Sequence, residues 1–182
     1  MKLVIFDGTF KTTAFINRLI TGLVNHGVEV FVLGFNETIT QKIEGVTYVR
    51  LGSSESKLQF FKTSLYWGLQ SKTGLKTINS LLKGDKSSLK RMNLDAALEQ
   101  IQPDVIHLQW VSHVSLFEKH LKEKKFKFVL SQRGFQTNVR PFVNEENYSY
   151  LQKWLPKFTG FHSVSKTISA EGDKIYMLDY KI

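Results

Sequence analysis

His107, Gln109, Arg133 and Ser165 are the side chains best placed in this sequence to do chemistry. Each lies in or just beyond a short apolar run: DVIHLQW over residues 104–110, FKFVLSQRG over 126–134 and GFHSVS over 160–165. Parallel strands bring their carboxyl ends to one edge of a sheet, and in open α/β sheets ligands collect in the crevice beyond that edge. Arg133 supplies a permanently charged guanidinium fork that matches the oxygens of phosphate or carboxylate, and Gly134 permits a tight turn at the strand end. The plain alternative for this pair is a surface arginine beside a turn glycine. His107 sits inside its run, where a hydrogen-bonded core histidine competes with direct catalysis. Trp110 suits packing and ligand contact equally. Ser163, Ser165 and Lys166 open the last helix, where a cap and a ligand contact are both open readings.

The apolar runs alternate with helical patterns. Leu3-Val4-Ile5-Phe6 reads as the first strand and residues 7–11 as a turn. Thr12 or Thr13 then caps a helix with apolar positions Ile16, Leu19, Ile20 and Leu23, which Gly27 ends. Residues 28–33 form a near-continuous apolar strand, as expected when helices cover both faces, and 46–51 a weaker third. A helix face at Leu94, Leu98 and Ile101 stops at Gln102-Pro103. Ser115-Leu116-Phe117-Glu118 matches a capping box that starts the next helix. Strands over 126–130 and 161–164 enclose a helix over 144–155. Strands separated by helices imply right-handed crossovers, so the expected fold is α/β: a doubly wound, mostly parallel Rossmann-like sheet with helices on both faces. No repeat or interdomain linker is visible, and 182 residues fit one domain with a proper core.

Composition narrows the chemistry. With no cysteine, disulfides, zinc-thiolate sites, iron–sulfur clusters and a cysteine nucleophile are excluded. The five histidines lack metal-ligand spacing, and there is neither a Gly-x4-Gly-Lys-Ser/Thr phosphate loop nor a Gly-x-Ser-x-Gly elbow. Asp7-Gly8-Thr9-Phe10-Lys11 does not supply the Gly-x-Gly-x-x-Gly of a nicotinamide site. No cofactor is expected. The opening residues lack the apolar stretch and cleavage site of a secretory signal. No apolar run approaches the roughly 20 residues of a membrane-spanning helix. A cytoplasmic protein, peripheral at most to the inner face of a membrane, is the expectation.

Lysine and arginine outnumber aspartate and glutamate 25 to 16, a net +9 that favours anionic partners. Much of this charge is local: between Lys57 and Arg91, Asp85 is the only acid among Lys62, Lys72, Lys76, Lys83, Lys86 and Lys90. Phe60, Phe61, Leu65, Tyr66, Trp67 and Leu69 are interleaved. The stretch 53–93 reads as a mobile, irregular insertion with helical pieces near 58–69 and 75–82. Its basic-aromatic character suits either a solvated helix face over a packed aromatic side or the headgroup region of an anionic membrane. No nucleic-acid reader motif accompanies the charge, and nucleic acid is not an expected partner.

In chain order, Leu3 to Phe6, Thr9-Phe10-Lys11-Thr12-Thr13, His26-Gly27-Val28-Glu29-Val30, Pro103-Asp104-Val105-Ile106-His107, Ser131-Gln132-Arg133-Gly134 through Val139-Arg140-Pro141, and His162-Ser163-Val164-Ser165-Lys166 resemble the amino-terminal domain of family 4, GT-B-fold glycosyltransferases. The similarity runs over nearly the whole chain. It implies an enzyme that transfers a sugar, with retention, from a nucleotide-sugar donor to a glycan or lipid-linked acceptor in bacterial surface polysaccharide synthesis. It further implies that residues 1–182 form the acceptor-side domain. The carboxy-terminal donor-binding domain, with its Glu-x7-Glu carboxylates, would follow Tyr180-Lys181-Ile182, and this chain alone would be inactive.

By the same resemblance Arg133 is the catalytic group, near the reacting sugar. Gly8, Thr12 and Thr13 approach the donor diphosphate at a helix amino terminus, while His107, Gln109, Trp110, Gly134, Gln136 and Ser165 contact substrate. Gln109 and Trp110 suit sugar hydroxyl bonding and ring stacking. The chain departs from the family where Gly8 stands without a second glycine, Ala14 replaces a frequent Glu, Gln109 replaces a second His, and Phe135-Gln136 follow Arg133-Gly134 where Asp is common. The competing expectation is a non-catalytic α/β binding module, or half of a split transferase, that docks on an anionic membrane or a partner chain.

Overall fold

A computed structural model describes residues 1–36, 38–72 and 74–177. Tyr180-Lys181-Ile182, the expected lead into an interdomain connection, lie outside the described residues. The chain is α/β, its strand pairs all parallel and alternating with flanking helices, the Rossmann-like doubly wound class expected. It divides into two compact units, Met1–Pro103 and Asp104–Ile182.

In the first unit, strands β1 (Lys2–Gly8), β2 (Glu29–Gly34) and β3 (Val46–Arg50) run in the order β3-β2-β1. Val4 stands opposite Phe31, and Phe31 opposite Thr47. Val4, Ile5, Val30, Val32 and Leu33 are almost fully buried, as a strand covered on both faces requires. Helix α1 (Ala14–Asn25) ends at His26, and Gly27 follows at φ +75°, the left-handed turn that glycine adopts without cost.

The stretch expected to be irregular is regular: its two expected helical pieces are α2 (Lys57–Gln70) and α3 (Gly74–Leu82), and the residues after them form the first half of α4 (Lys86–Ile101). Local caps and polar tethers explain why. Ser56 Oγ accepts from the Gln59 amide, and Asp85 accepts from the amide and hydroxyl of Ser88 at 3.0 and 2.6 Å. These Ser88 bonds hold the Asp85 carboxyl below the usual carboxylate range. Trp67 Nε1 donates to the Arg50 carbonyl at 2.9 Å, and Asn93 Nδ2 donates to the Leu51 carbonyl and to Ser64 Oγ. A methyl on Gly68 would sit 2.8 Å from Thr77 Cβ, so α2 and α3 touch where a side chain is missing.

In the second unit, β4 (Val105–Leu108), β5 (Lys127–Gln132) and β6 (Gly160–Ser163) run in the order β4-β5-β6. The helices are α5 (Val114–Glu123), α6 (Gly134–Asn138), α7 (Arg140–Val143), α8 (Glu145–Trp154) and α9 (Lys166–Asp173). The Ser115 capping box does not form: α5 starts at Val114, entered through the 3-10 turn Val111–His113. The 3-10 turn carries the chain directly into helical geometry at the buried Val114, so Ser115 lies inside the helix and cannot take the non-helical conformation of an N-cap. The core here is aromatic, with Phe128 edge-on to Phe117 and Phe158 at 6.0 and 6.1 Å. Among the described residues no helix is long and apolar enough to cross a membrane.

Candidate functional site

The strands of the second unit deliver a hydrogen-bonded polar cluster to their carboxyl ends. Apolar runs bury each strand body, so the first polar positions beyond them remain pinned close together. Ser131 and His162 stand opposite one another in the β5–β6 register, and His107 is opposite Val129, two residues before Ser131. His107 Nε2 lies 2.9 Å from Ser131 Oγ, and His162 Nδ1 lies 3.3 Å from it. Arg133 Nη2 donates to the same oxygen at 3.2 Å and to Gln109 Oε1 at 2.6 Å. Its guanidinium carbon is 5.4 Å from the ring centre of Trp110, within cation–π range.

Ser131 Oγ has one proton to give. With Arg133 donating into it, one imidazole must donate and the other accept; because His107 meets it through Nε2 and His162 through Nδ1, the two neutral rings carry the same tautomer, both Nε2–H or both Nδ1–H. Both stay neutral at ordinary pH. Burial, followed by the charges of His162 and Arg133, pulls His107 down to about 3. Burial and then Arg133 lower His162 as well. A fixed guanidinium beside two neutral imidazoles and a hydroxyl favours an anion.

The predicted residues separate into groups. His107, Gln109, Trp110 and Arg133 come together in this cluster. His107 takes the buried, hydrogen-bonded position that its place inside the run allows. Gln109 is also buried: its carbonyl oxygen holds Arg133, and its Nε2 has no hydrogen-bond partner among the described residues. Gly134 opens α6 at φ +40°, the turn expected of it. Gln136 accepts from the Ser112 amide at 3.1 Å and lines a cavity of about 200 Å³ with Ser112, Ser115, Arg140, Asn147 and Tyr150. Asn147 Oδ1 is out of solvent with no partner among the described residues. Tyr150 donates to Glu118 Oε1 at 2.8 Å, and its phenol is pushed upward by burial and by that carboxylate. Ser165 caps α9, accepting from the Ile168 amide at 3.2 Å.

Gly8, Thr12 and Thr13 belong to the first unit. Gly8 ends β1 at φ +88°. Thr13 is the N-cap of α1 without a side-chain cap bond, so the expected hydroxyl cap does not form. Thr12 Oγ1 instead donates to Asn17 Oδ1, and Asn17 Nδ2 to Gln41 Oε1 at 2.7 Å.

Ser131, His162 and Arg140 were not singled out as site residues from the sequence. For Ser131 and His162 the signal is a polar residue following an apolar run at matching register, legible only once strand pairing is known. Among the described residues no group of three or more histidines and carboxylates is placed to hold a metal ion.

No protein-family model matches the chain, and no curated protein matches it.

Proposed function

We propose that this chain is the acceptor-binding amino-terminal domain of a retaining GT-B-fold glycosyltransferase, one that moves a sugar from a nucleotide-sugar to a glycan or lipid-linked acceptor. The observation that carries this is Arg133, buried at the end of β5, clamped by Gln109 and Ser131 and stacked on Trp110. A cation held this rigidly offers preorganised stabilisation to a departing diphosphate, with little reorganisation during reaction. The hydroxyl- and amide-lined cavity around Gln136 and Asn147 has the chemistry to receive sugar hydroxyls. A second domain would bring most of the donor site, and positioning of the acceptor would supply the remaining catalysis. Building of bacterial surface polysaccharide or glycolipid at the cytoplasmic face of the membrane is the setting this reading implies.

The test is transfer of labelled sugar from a panel of nucleotide-sugars to membrane extracts by the complete protein, followed by anomeric analysis of the product. Product of retained configuration is expected, with Arg133→Lys lowering turnover while cooperative unfolding persists. Absence of transfer from every donor, or full turnover in the lysine variant, would overturn the assignment.

A second reading, a module docking on an anionic membrane, is favoured by one surface. Leu58, Phe61, Leu65 and Leu69 on α2, and Leu75, Ile78 and Leu82 on α3, follow helical spacing yet face solvent. Leu69, Leu75 and Leu82 are 75%, 87% and 84% exposed. Lys57, Lys62, Lys72, Lys76 and Lys83 accompany them, and residues 57–84 contain no acid. Apolar stripes flanked by lysines suit insertion beneath acidic headgroups.

A further inference from the structure

The unit Met1–Pro103 carries an open groove of about 720 Å³. That volume is within the ~300–1,000 Å³ of typical small-molecule sites. Its floor follows from strand alternation: Phe31 and Thr47 are register partners, and Val49, two residues beyond Thr47, projects to the same face. One face of α2 gives Lys62, Thr63, Tyr66 and Trp67 as a wall, and the end of α4 closes the groove with Gln100 and Ile101.

The polar groups in this lining divide by whether their needs are already met. The Trp67 indole N–H is committed to the Arg50 carbonyl, so its ring serves as an apolar surface. Lys2 Nζ donates to the Ile101 carbonyl at 3.2 Å, answering the carbonyl end of α4. Of the cations, Arg50 and Lys62 remain, both exposed, and neither has an ion-pair partner among the described residues. Among the described residues no aspartate or glutamate lines the groove. An aromatic and aliphatic trough with two uncommitted cations is complementary to a molecule with an apolar body and an anionic head.

We infer that this groove binds a small amphipathic phosphate ester, its apolar body against Phe31, Val49, Tyr66 and Trp67 and its phosphate on Arg50 and Lys62. The inference is independent of the glycosyltransferase proposal, since it uses none of the residues from 104 onward.

Calorimetric titration of the 182-residue chain tests it, with octyl phosphate, 1-naphthyl phosphate, inorganic phosphate and neutral octyl glucoside as probes. Saturable binding of an ester is expected, at least about tenfold tighter than inorganic phosphate or octyl glucoside, since both halves of the ligand contribute. Preference for the octyl ester assigns a lipid-derived ligand, and preference for the naphthyl ester a soluble aromatic one. Arg50→Ala/Lys62→Ala, at two exposed positions, should weaken binding about tenfold or more. Thr63→Trp, which fills the trough, should abolish it. Failure of both esters to saturate, equal binding of inorganic phosphate, or unchanged binding by the double variant and by Thr63→Trp would each overturn the site.

Discussion

Arg133 Nη2 donates to Gln109 Oε1 across 2.6 Å, tying the residue that follows β5 to the residue that follows β4. Both side chains are buried, so the bond is shielded from water and its loss is not repaid by solvent. Arg133→Ala should therefore cost about 1–3 kcal/mol in urea unfolding, because the buried Gln109 Oε1 loses a donor that water cannot replace. Under the transferase proposal the same variant of the complete enzyme should lose about 10²-fold or more in turnover. A stability loss near zero would mean that the clamp is not structural.

Acid should weaken the fold through His107. In the unfolded chain its imidazole takes a proton as pH falls through the ordinary 6.5, whereas the folded chain resists until about 3. The unfolded state then binds more protons, so stability is full above about pH 6.5 and declines as pH drops toward 3, by at most about 1.4 kcal/mol per unit. His162, also lowered, acts in the same direction. His107→Gln should show a smaller drop in urea midpoint between pH 7.5 and pH 5 than the parent protein. Identical drops would remove His107 from this account.

Two glycines separate backbone strain from crowding. Gly134 has φ +40° with open space where a methyl would go, so Gly134→Ala tests conformation alone and should cost about 1–2 kcal/mol. Gly134→Asn should cost less, because asparagine visits that region more readily. Gly68→Ala instead drives a methyl into Thr77 and should cost about 1–3 kcal/mol by overpacking. Thermal unfolding of the three variants gives the order, and an alanine at 134 no worse than asparagine would contradict the conformational explanation.

If α2 and α3 dock on lipid, sedimentation with phosphatidylglycerol vesicles should carry the protein down, and phosphatidylcholine vesicles should not. Replacing Leu69, Leu75 and Leu82 together by serine should abolish the effect at positions already facing solvent. Raising salt well above 0.1 M, where the screening length is about 10 Å, should weaken it. Equal sedimentation with either lipid would leave the stripes without this role.

The fold was largely legible because its signals are local. The apolar run through Val32 and the stop at Gln102-Pro103 each act within a few residues, and both recur as β2 and as the end of α4. The first half of α4 was hidden: Ser87, Ser88 and Lys90 carry no apolar stripe, and what holds them is the Asp85 cap, a polar device. The site was legible only in part. Arg133, Gln109 and Trp110 are conspicuous at run ends, but Ser131 joins two histidines 24 and 31 positions away. Such distances are bridged by strand register, which the spacing within one run does not encode.

Trp67, on α2 with its indole bonded to the Arg50 carbonyl, is the only tryptophan before residue 104; the other two are Trp110 and Trp154. Emission from the chain is thus partitioned by unit before any label is attached. With Trp110 and Trp154 changed to phenylalanine, tryptophan fluorescence would follow the unit Met1–Pro103 alone. Compared with a Trp67→Phe protein, it would tell whether the two units melt as one transition or as two.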